Sequence, residues 1–257
     1  MKGGPARRIV TLLAIAAGCR GSLSPLSNRL KVGQEPYVVF VADGEDGVGD
    51  LFAASTGGGA AFQVTFTRVN EQLPALSPDG TMLAFIRSDA PGNAEGASLV
   101  VMNLLNGAER RTPLAGPAPE RLAWSQDGTR IYLRAGDSLQ VTATPPARLA
   151  LGPVSAAERP TADSLFRVLL GDPPRAEAVP CESGGICARF ADGRTAPITS
   201  TGSLPVRWPG DSLLYREGDS WVVRPLAGGK TRGLAWTSSL VRPRELTVFG
   251  GPPQSAD

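Results

Sequence analysis

The chain is 257 residues long, with 42% hydrophobic and 19% charged residues, 31 glycines and 23 prolines. So many turn-forming residues favour a globular fold of short strands over one of long helices. The formal net charge is +2 and there is no histidine, which excludes a Ser-His-Asp triad, a histidine general base and imidazole metal sites. Enzymes that use only carboxylates, tyrosine or lysine are not excluded. We predict no catalytic constellation, no metal, no cofactor and, because the net charge is small, no nucleic-acid partner.

The first 18 residues have the features of a secretory signal peptide. Lys2, Arg7 and Arg8 form a basic start, and an apolar run follows at 9–17. Because a membrane-spanning helix needs about 20 apolar residues, this run is typical of a cleaved signal. It ends in AAGC, which resembles a bacterial lipobox. That resemblance implies cleavage before Cys19 and lipidation of its thiol; the alternative is an ordinary cleavage site with a cysteine nearby.

Arg20 follows the lipidation site, and a residue other than aspartate there is compatible with transfer to an outer membrane. We therefore expect a bacterial cell-envelope protein that faces the periplasm or the exterior, on the outer membrane if the cell has one. Residues 19–35 are polar and rich in turn-forming residues. This composition predicts a lipidated tether between the anchor and the folded body.

Turns centred on aspartate recur along the rest of the chain. The stretch LSPDGTMLAFIRS is a Ser-Pro-Asp-Gly turn followed by an alternating apolar run, and LAWSQDGTRIYLRA repeats it. Asp79, Asp127, Asp163 and Asp211 are separated by 48, 36 and 48 residues. A recurrence at this period predicts a repeat fold.

Each repeat also contains a second strand, a glycine turn and a further strand. Gly80 and Gly128 supply the positive φ that tight turns after aspartate require. Units of about four strands stacked around an axis are blades of an all-β propeller. Unit-opening strands are predicted near Tyr37, Thr81, Thr129, Ser164 and Ser212, so we predict five or six blades and favour five. The C-terminal segment RELTVF is predicted to complete the first blade and close the ring.

At this level of detail the sequence resembles the TolB-type propeller repeat, with its SPDG turn and its strand that ends near a Gly-Gly pair. The resemblance covers residues 36–250 and is strong only as far as Arg134. It implies the fold and little about activity, since propellers carry many functions. Two features depart from the family: a lipobox replaces an ordinary signal, and the short stretch after Cys19 cannot hold the separate α/β domain that precedes the family's propeller.

Two further cysteines, Cys181 and Cys187, flank a Gly-Gly turn in PCESGGICARF. In an exported chain this arrangement predicts a disulfide across a hairpin. A catalytic dithiol would need two intervening residues rather than five, and a metal site would need histidine or more cysteine.

Two other stretches suggest ligands and are better explained as structure. DGEDGVGD at 43–50 holds four carboxylates, but its spacing does not fit an EF-hand loop, so we predict a solvated hairpin rather than a calcium site. The four tryptophans could stack on sugars, yet their strand positions favour the core; they are Trp124, Trp208, Trp221 and Trp236.

The sequence therefore predicts a propeller over 36–251, a flexible tail at 252–257 and a monomer anchored to a membrane by its N-terminal lipid. The leading functional hypothesis is a non-enzymatic scaffold that binds a protein or an envelope component. One alternative is a propeller that binds or processes a glycan of the cell envelope. A third possibility is a propeller that has lost a companion domain and has no separate role.

Overall fold

The structure of the chain is a computed structural model that describes residues 26–43, 47–88, 96–169, 176–208, 212–226, 229–236 and 242–251. The predicted signal peptide, the predicted lipidation site Cys19 and the predicted tail at 252–257 lie outside these ranges. Most described residues are in strands, so the all-β prediction is confirmed. No helix in the described ranges is long and apolar enough to cross a membrane.

The strands form five groups, which we number in chain order. Four of them, the first, second, third and last, have four strands each and form blades. The first blade contains β1 (Tyr37–Asp43), β2 (Gly49–Ser55), β3 (Gly59–Gln63) and the C-terminal strand β19 (Arg242–Phe249). The second contains β4 (Asn70–Leu76), β5 (Met82–Ser88), β6 (Ser98–Asn103) and β7 (Glu109–Pro113). The third contains β8 (Arg121–Trp124), β9 (Arg130–Ala135), β10 (Ser138–Ala143) and β11 (Gly152–Pro153). The last contains β15 (Ser203–Trp208), β16 (Ser212–Glu217), β17 (Ser220–Pro225) and β18 (Arg232–Trp236).

The chain ends close the structure, as the sequence predicted. β19 pairs antiparallel with β1, from Tyr37 opposite Phe249 to Asp43 opposite Arg242. β19 also contacts β4 of the second blade and β15 of the last blade, and β4 contacts β8. These four strands are the innermost strands of their blades, and they surround a central channel.

The last and first blades are joined a second time at their outer strands. β18 pairs in parallel with β3, with Leu234 opposite Gly59. Eight strands therefore form one continuous sheet, in the order β15-β16-β17-β18-β3-β2-β1-β19. The described chain thus contains four hydrogen-bonded sheets, one of which holds the strands of both the first and the last blade.

The fourth group departs from the prediction. It is a three-stranded sheet of β12 (Ala176–Pro180), β13 (Ile186–Phe190) and β14 (Thr195–Thr199), preceded by helix α1 (Arg159–Leu169). The strand predicted near Ser164 is therefore wrong, because this position lies inside α1. The described part of this group has three strands, where the repeat predicted four.

The helix has a physical basis that the strand prediction overlooked. Before its first turn, Ser155 Oγ accepts a hydrogen bond from the Glu158 amide and donates one to Glu158 Oε2. The first of these bonds is the one that a capping serine makes. Ala162 and Phe166 are spaced four residues apart and pack against Tyr132 of the third blade, so the apolar pattern of this segment serves a helix face.

The predicted tether is also wrong in its second half. Leu26 opens a 3-10 helix that ends at Asn28, and Leu26 and Val32 are buried with Phe249 in the core between the first and second blades. The folded body therefore begins no later than Leu26. The polar composition of 26–35 favours a tether, but the apolar side chains of Leu26, Leu30 and Val32 pack into the core.

The blades have two distinct ends, the turn end and the mouth end. The turn end carries the turns after β4 and β8, at 77–81 and 125–129. The mouth end is the opposite one, where these innermost strands begin and where the connections at 43–49 and 64–69 lie.

Candidate functional site

The predicted repeat turns lie at the turn end and have one geometry. In the second blade, Asp79 Oδ1 accepts hydrogen bonds from Ser77 Oγ at 2.5 Å and from the Thr81 amide at 3.1 Å. In the third, Asp127 Oδ1 accepts the equivalent bonds from Ser125 Oγ at 2.5 Å and from the Thr129 amide at 3.0 Å. The aspartates therefore hold the turns together, which is a structural role.

The same hydrogen bonds explain the acidity of both side chains. Burial alone would raise the pKa of Asp79, but bonds from Ser77 and Thr81 lower it overall. The exposed Asp127 has its pKa lowered to about 2, first by Ser125 and then by Thr129. Both carboxylates are thus strongly stabilised as anions, a state suited to holding a turn and unsuited to giving up a proton near neutral pH.

Gly80 and Gly128 have φ values of +67° and +70°, as the sequence predicted for these turns. Gly80 has a second constraint, because a Cβ at this position would lie 2.6 Å from Cγ of Phe249. The turn of the second blade is therefore packed against the closing strand β19, whereas a Cβ at Gly128 would meet only Pro78, at 3.7 Å.

Cys181 and Cys187 form a disulfide in the hairpin between β12 and β13, with their Cα atoms 5.1 Å apart. The two residues are offset rather than directly opposed, since Cys187 pairs with Val179 and Pro180 pairs with Ile186. The bridge closes the hairpin end of a three-stranded sheet.

The channel contains a cavity of about 320 Å³ at the meeting point of β4, β8 and β19. Its walls are mainly apolar with a few polar groups at the edge, a composition typical of binding sites. The lining residues are Leu73, Pro74, Ala75, Glu120, Arg121, Leu122, Glu245, Leu246 and Thr247.

Three innermost strands carry a β-bulge close to the mouth end. Leu73, Leu204 and Glu245 have φ values of 54°, 50° and 48°, and each lies where its strand's register with the neighbouring strand shifts. A left-handed conformation at a non-glycine residue costs about 1–3 kcal/mol. Bulges re-aim side chains beside binding sites, and Leu73 and Glu245 both line the cavity.

Hydrogen bonds fix two of the bulged strands, β4 and β19, to each other. The Leu73 amide donates to Glu245 Oε2 at 2.5 Å, and the Leu76 amide donates to Thr247 Oγ1 at 3.2 Å. Glu245 also pairs with Arg244, whose Nε donates to Asp43 Oδ1 at 3.0 Å. The cavity wall is therefore preorganised, and the Glu245 carboxylate already has partners on both oxygens.

A buried carboxylate lies at the mouth end of β4. Glu71 is fully buried and accepts a hydrogen bond from Thr65 Oγ1 and another, of 2.9 Å, from Arg87 Nε. Burial raises the pKa of the Glu71 carboxyl, and the bonds from Thr65 and Arg87 oppose that rise. Arg87 continues to Glu109 with two bonds of 2.8 and 3.0 Å. This chain of ion pairs ties β4, β5 and β7 together.

An exposed aromatic side chain lies beside this network. Phe66 is 57% exposed, in the connection between β3 and β4. Its two neighbours are fixed: Thr65 is bonded to Glu71, and the Thr67 amide donates to Asp50 Oδ1 at 3.2 Å. Phe66 is thus presented to solvent on a rigid loop.

The remaining sequence candidates resolve as structure where the chain is described. Trp124, Trp208 and Trp221 are buried, and the indole NH groups of Trp124 and Trp208 donate to Ala75 O and Thr56 O in the adjacent blades. They are core residues, as predicted; the side chain of Trp236 lies outside the described part. Within the described residues no three His, Cys, Asp or Glu side chains are grouped to hold a metal, and the middle of the hairpin at 43–50 lies outside them.

Glu71, Phe66 and the bulged residues were not identified from the sequence. A signal for the bulges exists: QLPA at 72–75 and SLPV at 203–206 both place a Leu-Pro pair near the start of an innermost strand. No comparable signal marks Glu71, because its burial depends on side chains of three other elements.

The comparisons with known proteins concern the fold. No protein-family model matches the chain, and no curated protein matches it. Among solved structures, TolB from Acinetobacter baumannii is 14% identical, over 77% of this chain and 52% of that one, with a TM-score of 0.38. A protein assigned as TolB from Agrobacterium tumefaciens is 14% identical, over 77% and 61% of the two chains, with a TM-score of 0.35. The isopeptidase AtxE2 is 11% identical, over 79% and 46%, with a TM-score of 0.37.

TolB proteins are thus among the structures that this chain is similar to, as the repeat predicted. The chain spans about half to three fifths of the length of the two TolB structures. At identities and TM-scores this low, the likeness carries no argument about activity or partner.

Proposed function

We propose that the protein is a lipid-anchored, non-enzymatic propeller of the bacterial cell envelope that binds a protein or an envelope component at the mouth of its central channel. The observation that supports this most is the cavity between β4, β8 and β19, with bulged strands at its edge. Strained backbone in a wall that is otherwise fixed by hydrogen bonds is typical of a binding site.

Two carboxylates at the mouth end are committed to holding the structure rather than to chemistry. Glu245 is held by the Leu73 amide and by Arg244, and Glu71 is buried beneath Thr65 and Arg87. Carboxylates committed in this way hold structure, whereas a general acid or base needs access to a substrate proton. Exposed Phe66 and the apolar cavity wall instead offer the rigid apolar surface on which protein partners dock.

Crosslinking in native envelopes tests the binding site. A photoreactive amino acid replaces Phe66 or Arg121 at the mouth end, and the matched control replaces Gln126, which is exposed at the turn end. We expect both mouth-end positions to capture the same macromolecule and the control to capture none of it. Equal capture from all three positions would contradict a site at the mouth.

Lipidation is tested separately. We expect Cys19→Ser to abolish labelling by radioactive palmitate and to leave the protein uncleaved or released from the membrane fraction. Labelling that persists in this variant would show that Cys19 is not the acylated residue. Robust turnover of a glycan or an ester by purified protein, lost on substitution of one channel carboxylate, would contradict the non-enzymatic part of the proposal.

A further inference from the structure

We infer that the N-terminal segment orients the propeller on the membrane, with the turn end towards the lipid and the channel mouth towards the aqueous compartment. The inference rests on the proposed lipid anchor at Cys19 and names the side from which a partner reaches the channel. It follows from where residues 26–36 are attached to the blades.

The segment is packed onto the turn end of the first two blades. Leu26 and Val32 are buried in the core between these blades. Ser27 Oγ donates to the carbonyl of Leu105 at 3.0 Å, in the turn between β6 and β7. A Cβ at Gly33 would lie 3.1 Å from the carbonyl oxygen of Asp79, so the segment runs directly over the repeat turn.

A cation–π contact and a hydrogen bond also hold the segment against the blades. The guanidinium of Arg29 lies 5.4 Å from the ring centroid of Phe62 on β3, a distance at which cation–π attraction applies. Where the segment enters β1, Tyr37 donates its hydroxyl hydrogen to the carbonyl of Gly80. The segment is therefore part of the folded body at the turn end.

The chain between the anchor and this segment is short. Residues 20–25 separate Cys19 from Leu26, so the seven peptide steps span at most about 25 Å. A seven-residue strand such as β4 is itself about 23 Å long. Placing the mouth on the membrane would thus require an almost fully extended chain along the whole height of a blade, whereas the turn end is reached with slack.

The orientation selects a class of partner. A lipid headgroup of the anchoring membrane would meet the repeat turns rather than the cavity, so the occupant of the mouth is a component of the aqueous compartment rather than a lipid of that membrane. Phe66 and the bulged strands face that compartment together, because all of them lie at the mouth end.

Energy transfer from the two ends of one strand to the membrane tests the orientation. The lipidated full chain carries a donor dye at Gln126→Cys or at Asp137→Cys, two exposed positions that flank β9 at the turn end and the mouth end. Because Cys181 and Cys187 are joined and acylation occupies Cys19, the introduced cysteine is the reactive thiol. The protein is reconstituted in vesicles of phosphatidylethanolamine and phosphatidylglycerol that contain an acceptor-labelled lipid.

We expect transfer from Gln126→Cys to exceed that from Asp137→Cys by roughly twofold, since a six-residue strand separates the sites by about 20 Å. A flexible Gly-Ser linker of about 20 residues inserted between Cys19 and Leu26 should abolish this difference. Equal or reversed transfer from vesicle-bound protein would overturn the orientation while leaving the anchor intact. Failure to bind vesicles, with the same result for Cys19→Ser, would overturn the anchor and the orientation together.

Discussion

The Ser-x-Asp-Gly turns show how single residues specify this repeat. In both turns the serine hydroxyl that donates to the aspartate also accepts a bond of 2.9 Å from the amide five residues later, at Met82 or Arg130. The strand that follows the turn, β5 or β9, therefore begins at a fixed distance from it. The residue types required for this geometry are local, which explains why the motif is visible in the sequence.

Replacing Asp79 by alanine should lower the free energy of unfolding by about 1 kcal/mol, because the turn loses acceptors for Ser77 and Thr81 while the exposed site limits the loss. Asp137→Ala is the matched control, since this residue is exposed in the turn between β9 and β10. Urea unfolding monitored by tryptophan fluorescence measures both. Equal midpoints for the two variants would contradict a structural role for the aspartate.

Glu71→Gln should change how stability depends on pH. Burial raises the folded-state pKa of Glu71 above the ordinary value of 4.5, so the folded state binds more protons than the unfolded state above that pH. The wild-type protein should therefore lose stability relative to the glutamine variant as pH rises through this window. Urea unfolding from about pH 4 to about pH 7 measures the difference, and parallel pH profiles for the two proteins would contradict the assignment.

At the scale of elements, the fourth group shows where local pattern misleads. The run ADSLFRVLL can serve an alternating strand or a helix face, because its apolar residues satisfy both periods over so short a length. The capping residues Ser155 and Glu158 and the ion pair of Arg134 with Asp163 favour the helix. Packing against the third blade then decides the outcome.

The disulfide belongs to this same group and gives a prediction of its own. An unreduced digest should contain the peptide that joins Cys181 to Cys187, and the double variant Cys181→Ser/Cys187→Ser should unfold about 2 kcal/mol more easily. The matched control is the wild-type protein with reductant, which should unfold like the double variant. Free thiols at both positions in the native protein would refute the bridge.

At the scale of the whole molecule, β19 closes the ring and builds the channel. It supplies Phe249 to the core, and Glu245 and Thr247 accept hydrogen bonds from amides of β4. A strand from the end of the chain therefore connects the first two blades, which makes the fold depend on a contact of very long sequence separation.

Deleting residues 239–257 should lower the thermal midpoint by about 10 °C or more, or cause aggregation, because it exposes the edge of β1 and opens the core around Tyr37. Deleting only 252–257 leaves β19 complete and is the matched control. Differential scanning calorimetry and light scattering distinguish the two. A truncated protein that melts like the full chain would contradict closure by β19.

Features that depend on neighbouring residues could be predicted from the sequence alone. The aspartate-glycine turns, the repeat interval and the proximity of Cys181 to Cys187 each follow from a few adjacent side chains and from the φ values that they permit. The all-β class and the role of the C-terminal strand followed from the same repeat, because an incomplete first unit leaves an edge that another strand must cover.

Features that depend on distant residues could not be predicted from the sequence. The parallel pairing of β18 with β3, the burial of Glu71 and the packing of Leu26 all need surfaces that exist only once the blades are assembled. The left-handed bulge at Glu245 is of this kind too. Its local conformational cost is offset by contacts with β4, and no single stretch of sequence contains both sides of those contacts.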